Sequence, residues 1–257
     1  TFRHTLHQPQ GLVLVTGPTG SGKTTTLYSA LGERNQPEVN ICSVEDPVEL
    51  PLAGLTQTQI HPKAGLTFQT ILRALLRQDP DIIMVGEIRD GETAEIAINA
   101  AQTGHLVLST LHTNSTIETL TRLEQMGVAR WMLASALKLV LAQRLVRKLC
   151  PHCRSLHPEP VQLPKALWPQ PLPNWKANGC ERCYAGFYGR IALFEMLNVT
   201  PELSRLIVAG ASASETEKLA HQQGMKSLFA HGLRAVDEGK TTIEEVYRVI
   251  GVPHGTA

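Results

Sequence analysis

Neither sign of charge is in excess in this 257-residue chain: 24 Lys and Arg stand against 23 Asp and Glu, a formal net charge of +1. That balance removes any general electrostatic drive toward nucleic acid or anionic lipid. Long apolar runs are also missing. The most apolar stretch, Trp131 to Ala142, is interrupted by Ser135 and Lys138 and falls well short of the roughly 20 residues that cross a bilayer, so no transmembrane helix is expected. The opening residues, TFRHTLHQPQG, contain no initiator Met and no apolar centre of a signal peptide; a piece of a longer protein is expected. Aromatic residues are sparse at 5%, against 42% hydrophobic and 18% charged, the composition of a globular chain rather than a disordered or collagen-like one. Cysteine is scarce and odd in number, with four of the five residues in two Cys-x-x-Cys pairs. That arrangement suits metal binding in a reducing compartment better than a disulfide framework, and a cytosolic location is expected.

At about 150 residues per domain, the length allows one large domain or a core with an appendage. From Gly11 to about Leu149 short apolar runs alternate with amphipathic stretches, the pattern of an α/β fold with a mostly parallel sheet. Residues 12–16, 41–44, 82–85 and 106–110 read as buried strands. A helix capped by Thr67 is predicted to put Ile71, Leu72, Leu75 and Leu76 on one face and Arg73 and Arg77 on another. Further helices are expected from an Asp90 cap to Gly104, from about 114 to 127, and over about 130–148. Between Leu149 and Gly179 stand Pro151, Pro158, Pro160, Pro164, Pro169, Pro171 and Pro173, which exclude a regular helix or central strand. This irregular excursion has too few apolar residues to fold by burial. Residues 190–197 then read as a strand, and the remainder as helices started by Thr200, by Ser212 with Glu215 and by Thr242 with Glu245, the last two as capping boxes. The chain is thus divided into a core over 1–149, an excursion over 150–189 and a mainly helical part over 190–257. No internal repeat is visible.

The sharpest motif is GPTGSGKT, Gly17 to Thr24, which matches GxxxxGK[ST], follows a predicted strand and opens a predicted helix. Gly17, Gly20 and Gly22 let the backbone turn its N–H groups onto a phosphate, and the helix N-terminus reinforces them. Lys23 is placed to bridge β- and γ-phosphate oxygens and Thr24 to hold Mg²⁺; Pro18, Thr19, Ser21 and Thr25 complete the nucleotide-binding set. Hydrolysis needs a carboxylate beside the γ-phosphate, at the carboxyl end of a neighbouring strand. Two segments offer one: Gly86-Glu87 after residues 82–85, and Glu45-Asp46-Pro47 after residues 41–44. The bland reading of each pair is a helix cap or a solvated loop. His105 and His112 flank one buried strand, and His112 falls at the same carboxyl edge as the acids, where it could contact the γ-phosphate or be merely structural.

Cys150-Pro-His-Cys153 and Cys180-Glu-Arg-Cys183 are two knuckles whose four thiolates would complete a closed tetrahedral shell, which makes a structural zinc site. A redox pair is the alternative, disfavoured because neither pair follows a strand and opens a helix. Cys42 reads as a small core residue.

VEDPVE (Val44 to Glu49), LRQDPDIIMVGEIRDGETA (Leu76 to Ala94) and TGHLVLSTLHTN (Thr103 to Asn114), in that order after the phosphate loop, resemble the secretion ATPases of type II secretion and type IV pilus assembly over nearly the whole chain. The resemblance implies a RecA-like P-loop ATPase core acting as a homo-hexameric ring on the cytoplasmic face of the inner membrane, bound there through a platform partner and using ATP and Mg²⁺. By motif position Glu45 looks like the water-activating base and Glu87 like the Walker B acid, with Glu45 preferred for the base. His105 and His112 look like γ-phosphate sensors; Arg73, Arg77 and Arg89 are candidates to neutralise phosphate or bridge subunits, the bland reading of each being a solvated side chain. Assembly and secretion members typically carry a tetracysteine element and retraction members lack it, and members carry an N-terminal domain upstream of the equivalent of Thr1 that supplies arginines to the site. The competing reading is a DNA-translocating or nucleic-acid-binding ATPase using the zinc element and the cations Arg144, Arg147, Lys148 and Arg154, against which stands the lack of interleaved aromatic residues. A form that binds ATP without turning it over is the third.

Overall fold

The computed structural model describes residues 1–252. In chain order the elements are α1 (Phe2–Leu6), β1 (Gly11–Thr16), α2 (Lys23–Arg34), β2 (Ile41–Glu45), β3 (Thr56–Gln59), a 3-10 turn (Pro62–Ala64), α3 (Phe68–Leu75), β4 (Ile82–Val85), α4 (Gly91–Gln102), β5 (Leu106–Leu111), α5 (Thr116–Gln125) and α6 (Arg130–Ala136). There follow β6 (Leu137–Leu149), β7 (Arg154–Leu156), β8 (Trp175–Ala177), β9 (Phe187–Asn198), α7 (Pro201–Val208), α8 (Ala213–Gln222), α9 (Leu228–Asp237) and α10 (Ile243–Ile250). One sheet has the order β3-β2-β4-β5-β1-β6-β9, and β7 pairs with β8 alone. The pairs β3/β2, β2/β4, β4/β5, β5/β1 and β1/β6 are all parallel. Every residue of β1, β2, β4 and β5 is buried, as a parallel sheet covered on both faces demands. The mostly parallel α/β class read from the sequence is therefore the class observed.

The chain forms two compact units, each assembled from separated stretches. The first comprises residues 1–19, 23–142 and 196–225; the second comprises 20–22, 143–195 and 226 onward. The core of the first lies on the sheet under α3, α4 and α5, with Leu72, Ile98, Leu123 and Leu133 fully enclosed. The helix starts read from the sequence are real in several cases: Thr67 accepts from Thr70 N–H, Asp90 from Thr93 N–H, and Thr200 from Leu203 N–H. Ser212 and Glu215 form the reciprocal capping box.

The structure departs from the sequence reading at several points. The helix read over about 130–148 ends at Ala136, and the next thirteen residues form β6. Leu139, Val140, Leu141, Ala142, Gln143 and Arg144 are all buried in succession, which an amphipathic helix cannot achieve but a strand paired to β1 can; tertiary pairing overrides the local pattern. The strand β3, TQTQ, is absent from the sequence reading because it has no apolar residue to signal it. The excursion does bury apolar surface. Leu172 is fully enclosed with Phe229, Leu233, Val236, Ile243 and Val246, and Trp168 and Trp175 pack against them.

The second capping box is likewise half present. Thr242 caps α10 by accepting from Glu245 N–H, but the Glu245 carboxylate turns to two arginines. It accepts from Arg147 Nε (3.1 Å) and Nη2 (2.8 Å), from Arg147 N–H (2.9 Å), and from Arg248 Nε (2.8 Å) and Nη2 (2.6 Å). Burial raises its pKa, but these donors outweigh burial and bring it to about 2, from 4.5. A carboxylate depressed in this way adds stability above its unfolded-state pKa, and that stability is lost as pH falls toward 2, at most about 3 kcal/mol for the second unit. Thermal unfolding followed by circular dichroism is expected to show a melting temperature that falls between pH 4.5 and pH 2, with Glu245→Gln flattening that dependence and lowering the neutral-pH value.

Candidate functional site

The phosphate-loop segment joins β1 to α2, as the motif requires. Gly17, Gly20 and Gly22 have φ of 152°, 78° and 86°, a left-handed backbone open to glycine at little cost. Within the second unit, a Cβ on Gly22 would lie 2.7 Å from Gln143 Nε2, and Gln143 Nε2 donates to Ser21 O at 2.6 Å. Within the first, Lys23 is buried, and its Nζ donates to Gly17 O (2.8 Å) and Pro18 O (3.0 Å). Thr24 is half-buried and Thr25 exposed at the start of α2. Ser21 Oγ is buried without a hydrogen-bond partner among the described residues. The orphaned hydroxyl among turned glycines in the second unit and the buried ammonium in the first are each donors of the kind that fits a phosphate.

The two acids end neighbouring parallel strands in different environments. Glu45, the last residue of β2, is 3% exposed. Its Oε1 accepts from Tyr28 Oη, and its Oε2 from Ser43 Oγ (2.6 Å) and Gln57 Nε2 (3.1 Å). Glu87 follows β4 and is partly exposed. It accepts from Arg89 Nη2 and lies 3.4 Å from His112 Nε2, while Arg89 also reaches Asp46 Oδ2 at 3.3 Å and stands over the Phe68 ring. The Arg89 hydrogen bond, ahead of partial burial that opposes it, holds the Glu87 carboxyl below the usual range, with His112 adding to the effect. Glu45, Asp46, Glu87, Arg89 and His112 thus share the carboxyl edge of the sheet, where β1 gives way to Gly17.

Other candidates lie elsewhere. His105 precedes β5 and bonds through Nδ1 to Ala100 O at 3.0 Å, which puts it at the amino edge, roughly 20 Å of strand from His112. Arg73 pairs with Glu92 at 2.7 Å on the helical face, and Arg77 is exposed beyond α3, on the chain's way to the amino end of β4. Tyr28, Ser43 and Gln57 went unseen in the sequence; Gln57 sits on the strand that was missed, and the other two carry no motif beyond their nearness to the loop and to Glu45.

The four paired cysteines converge. Sγ separations are 3.9 Å for Cys150–Cys180, 3.7 Å for Cys153–Cys183 and 3.7 Å for Cys180–Cys183, and all four sulfurs lie within 4.8 Å of one another. A tetrahedral shell of thiolates at the usual zinc–sulfur distance places sulfurs about 3.8 Å apart, so the set fits a zinc ion. The neighbouring cations are spent within the second unit: Arg147 pairs with Glu245 and stacks on Phe187, and Arg154 donates to Gly239 O and stacks on Trp175. Arg144 is buried and donates to Gln143 O. Burial thus withdraws Arg144 from the basic run, Arg147 and Arg154 are engaged by these partners, and Lys148 is exposed.

A phosphate loop between β1 and α2 of a parallel sheet, with acids at its carboxyl edge, defines a P-loop ATPase type of core. Residues 1–248 match the family described as Type II/IV secretion system protein, and the chain belongs to that family. It is 70% identical over 254 residues to the protein transport protein HofB homolog of Escherichia coli K12, covering 99% of this chain and 55% of that protein. It is 48% identical over 259 residues to the type IV pilus assembly ATPase PilB of Acinetobacter baylyi, covering 96% of this chain and 44% of the relative. The chain spans about half the length of these two relatives. The crystal structure of the pilus retraction motor PilT with bound ADP matches with a TM-score of 0.74 at 29% identity, over 99% of this chain and 64% of that one. Among the described residues no helix is long and apolar enough to cross a membrane.

Proposed function

We propose that this chain is the ATP-hydrolysing part of a cytoplasmic homo-hexameric motor that powers type II protein secretion or type IV pilus assembly, held at the inner membrane by a platform partner. The observation that carries the reading is the gathering of Glu45, Glu87 and His112 at the sheet edge where the Gly17–Thr24 loop begins. The relatives named as ATPases and the ADP bound to the PilT structure support it.

In this reading the loop N–H groups and Lys23 Nζ bind the β- and γ-phosphates, Lys23 exchanging its bonds to Gly17 O and Pro18 O for phosphate oxygens. Thr24 Oγ1 and Glu87 would hold Mg²⁺, which would supply neutralisation of the charge developing on the phosphate oxygens. Glu45 accepts the proton of the attacking water, and the buried donors around it keep the carboxylate aimed. His112 is placed to register the γ-phosphate through the partner it shares with Arg89, Glu87. Arg73 and Arg77, away from this edge, serve as subunit contacts rather than phosphate ligands, and His105 acts from the amino edge on the packing of β5 against α4. The four cysteines hold zinc as a structural ion.

The test is phosphate release from ATP by the chain and two isosteric variants. Glu45→Gln is expected to lower kcat roughly 100-fold or more with nucleotide affinity within about twofold, the usual effect of losing a general base. Glu87→Gln is expected to lower kcat and also to raise the Mg²⁺ concentration needed for half-maximal rate. Release unchanged by both substitutions would remove the assignment.

A further inference from the structure

A carboxylate has about four lone-pair positions on its two oxygens. On Glu45, Ser43 Oγ and Gln57 Nε2 take both positions of Oε2, at 2.6 and 3.1 Å, and Tyr28 Oη takes one of Oε1. The acceptor position that remains is on Oε1, the oxygen held by the phenol. We infer that Tyr28 is a positioning residue that selects and aims the proton-accepting oxygen of Glu45; this rests on the reading of Glu45 as the base.

Tyr28 is built for that task by its place on α2. It lies four residues beyond Thr24, one turn along the same helical face as the loop's metal-binding hydroxyl. Its oxygen also accepts from Glu49 N–H at 3.3 Å, so the phenol is fixed from the α2 side and from the segment after β2. That second bond occupies an acceptor position on Oη and leaves the O–H to Glu45. Burial, and then the adjoining Glu45 carboxylate, raise the phenol pKa above 10, which keeps the donor proton in place at working pH. A movement of α2 on phosphate binding would be carried directly to the carboxylate, because the phenol is the only group among the described residues that bonds Oε1.

Steady-state phosphate release, with nucleotide affinity measured separately, tests the role on Tyr28→Phe. The expected result is a kcat lowered roughly tenfold, part of a general base's contribution, with nucleotide affinity within about twofold. The double variant Tyr28→Phe/Glu45→Gln is expected to match Glu45→Gln alone. A Tyr28→Phe chain with unchanged kcat, beside a Glu45→Gln chain that is inactive, would overturn the positioning role and leave the base reading standing. Glu45→Gln with undiminished kcat would overturn the base reading and this role with it. Should Tyr28→Phe not fold, Tyr28→Leu takes its place with the same expected fall in kcat at unchanged nucleotide affinity.

Discussion

Replacing Lys23 by alanine is expected to raise the dissociation constant for ATP at least about 100-fold and bring phosphate release to background, while the chain stays folded. Lys23 Nζ is held at 2.8 and 3.0 Å from two carbonyl oxygens of its own loop, neutral acceptors that an ammonium gives up for the charged, more strongly binding oxygens of a phosphate. Each charged hydrogen bond to phosphate contributes about 1.5–3 kcal/mol, and the loss of two accounts for a factor of that size. Stability should fall only modestly, since Pro18 is exposed and water can replace the donor at its carbonyl, while Gly17 O loses one buried donor. Titration with a fluorescent ATP analogue, beside a thermal melt, separates the two effects. ATP affinity within threefold of the unsubstituted chain would mean that this loop does not hold the phosphates.

The second large effect is expected at the cysteines. Elemental analysis should find one zinc per chain, and Cys150→Ser should lose it and lower the melting temperature of the second unit by on the order of 10 °C or more. Cys150 is buried, so a missing thiolate there leaves an incomplete shell that water cannot readily fill. Structural zinc contributes about 10–16 kcal/mol to the folding of isolated fingers. Here the loss is smaller, because Leu172 and its partners on α9 and α10 form a core that does not depend on the metal. About 3 kcal/mol lost in a unit of this size gives the stated shift. A zinc-free Cys150→Ser chain that melts with the unsubstituted protein would show that the four sulfurs meet without a structural ion.

Much of the carboxyl edge of the sheet could be read in the order of residues. GPTGSGKT specifies its own geometry, because only glycine takes the φ values found at positions 20 and 22 without strain, and the acids at 45 and 87 follow apolar runs that can only be buried strands. The support of those acids could not be read. Gln57 reaches Glu45 from a strand with no apolar residue, Arg89 links Asp46 to Glu87 across a strand gap, and Glu245 leaves its capping box for arginines, one of them 98 residues away.

By itself the sequence determined the elements whose causes are local: the buried strands of the parallel sheet, the caps at Thr67, Asp90, Thr200 and Ser212, the glycine-turned phosphate loop, and the pairing of cysteines into knuckles. Side-chain chemistry and backbone preference within a few residues are enough for each of these. Only the tertiary structure decided that residues 137–149 are a strand, that the proline-rich excursion shares a core with α9 and α10, that His105 and His112 stand at opposite ends of β5, and that Tyr28 holds one oxygen of Glu45. Each of those depends on which distant segment lies alongside, and pairing across a sheet or burial against another helix outweighs the fraction of a kcal/mol per residue by which local propensity favours one conformation over another.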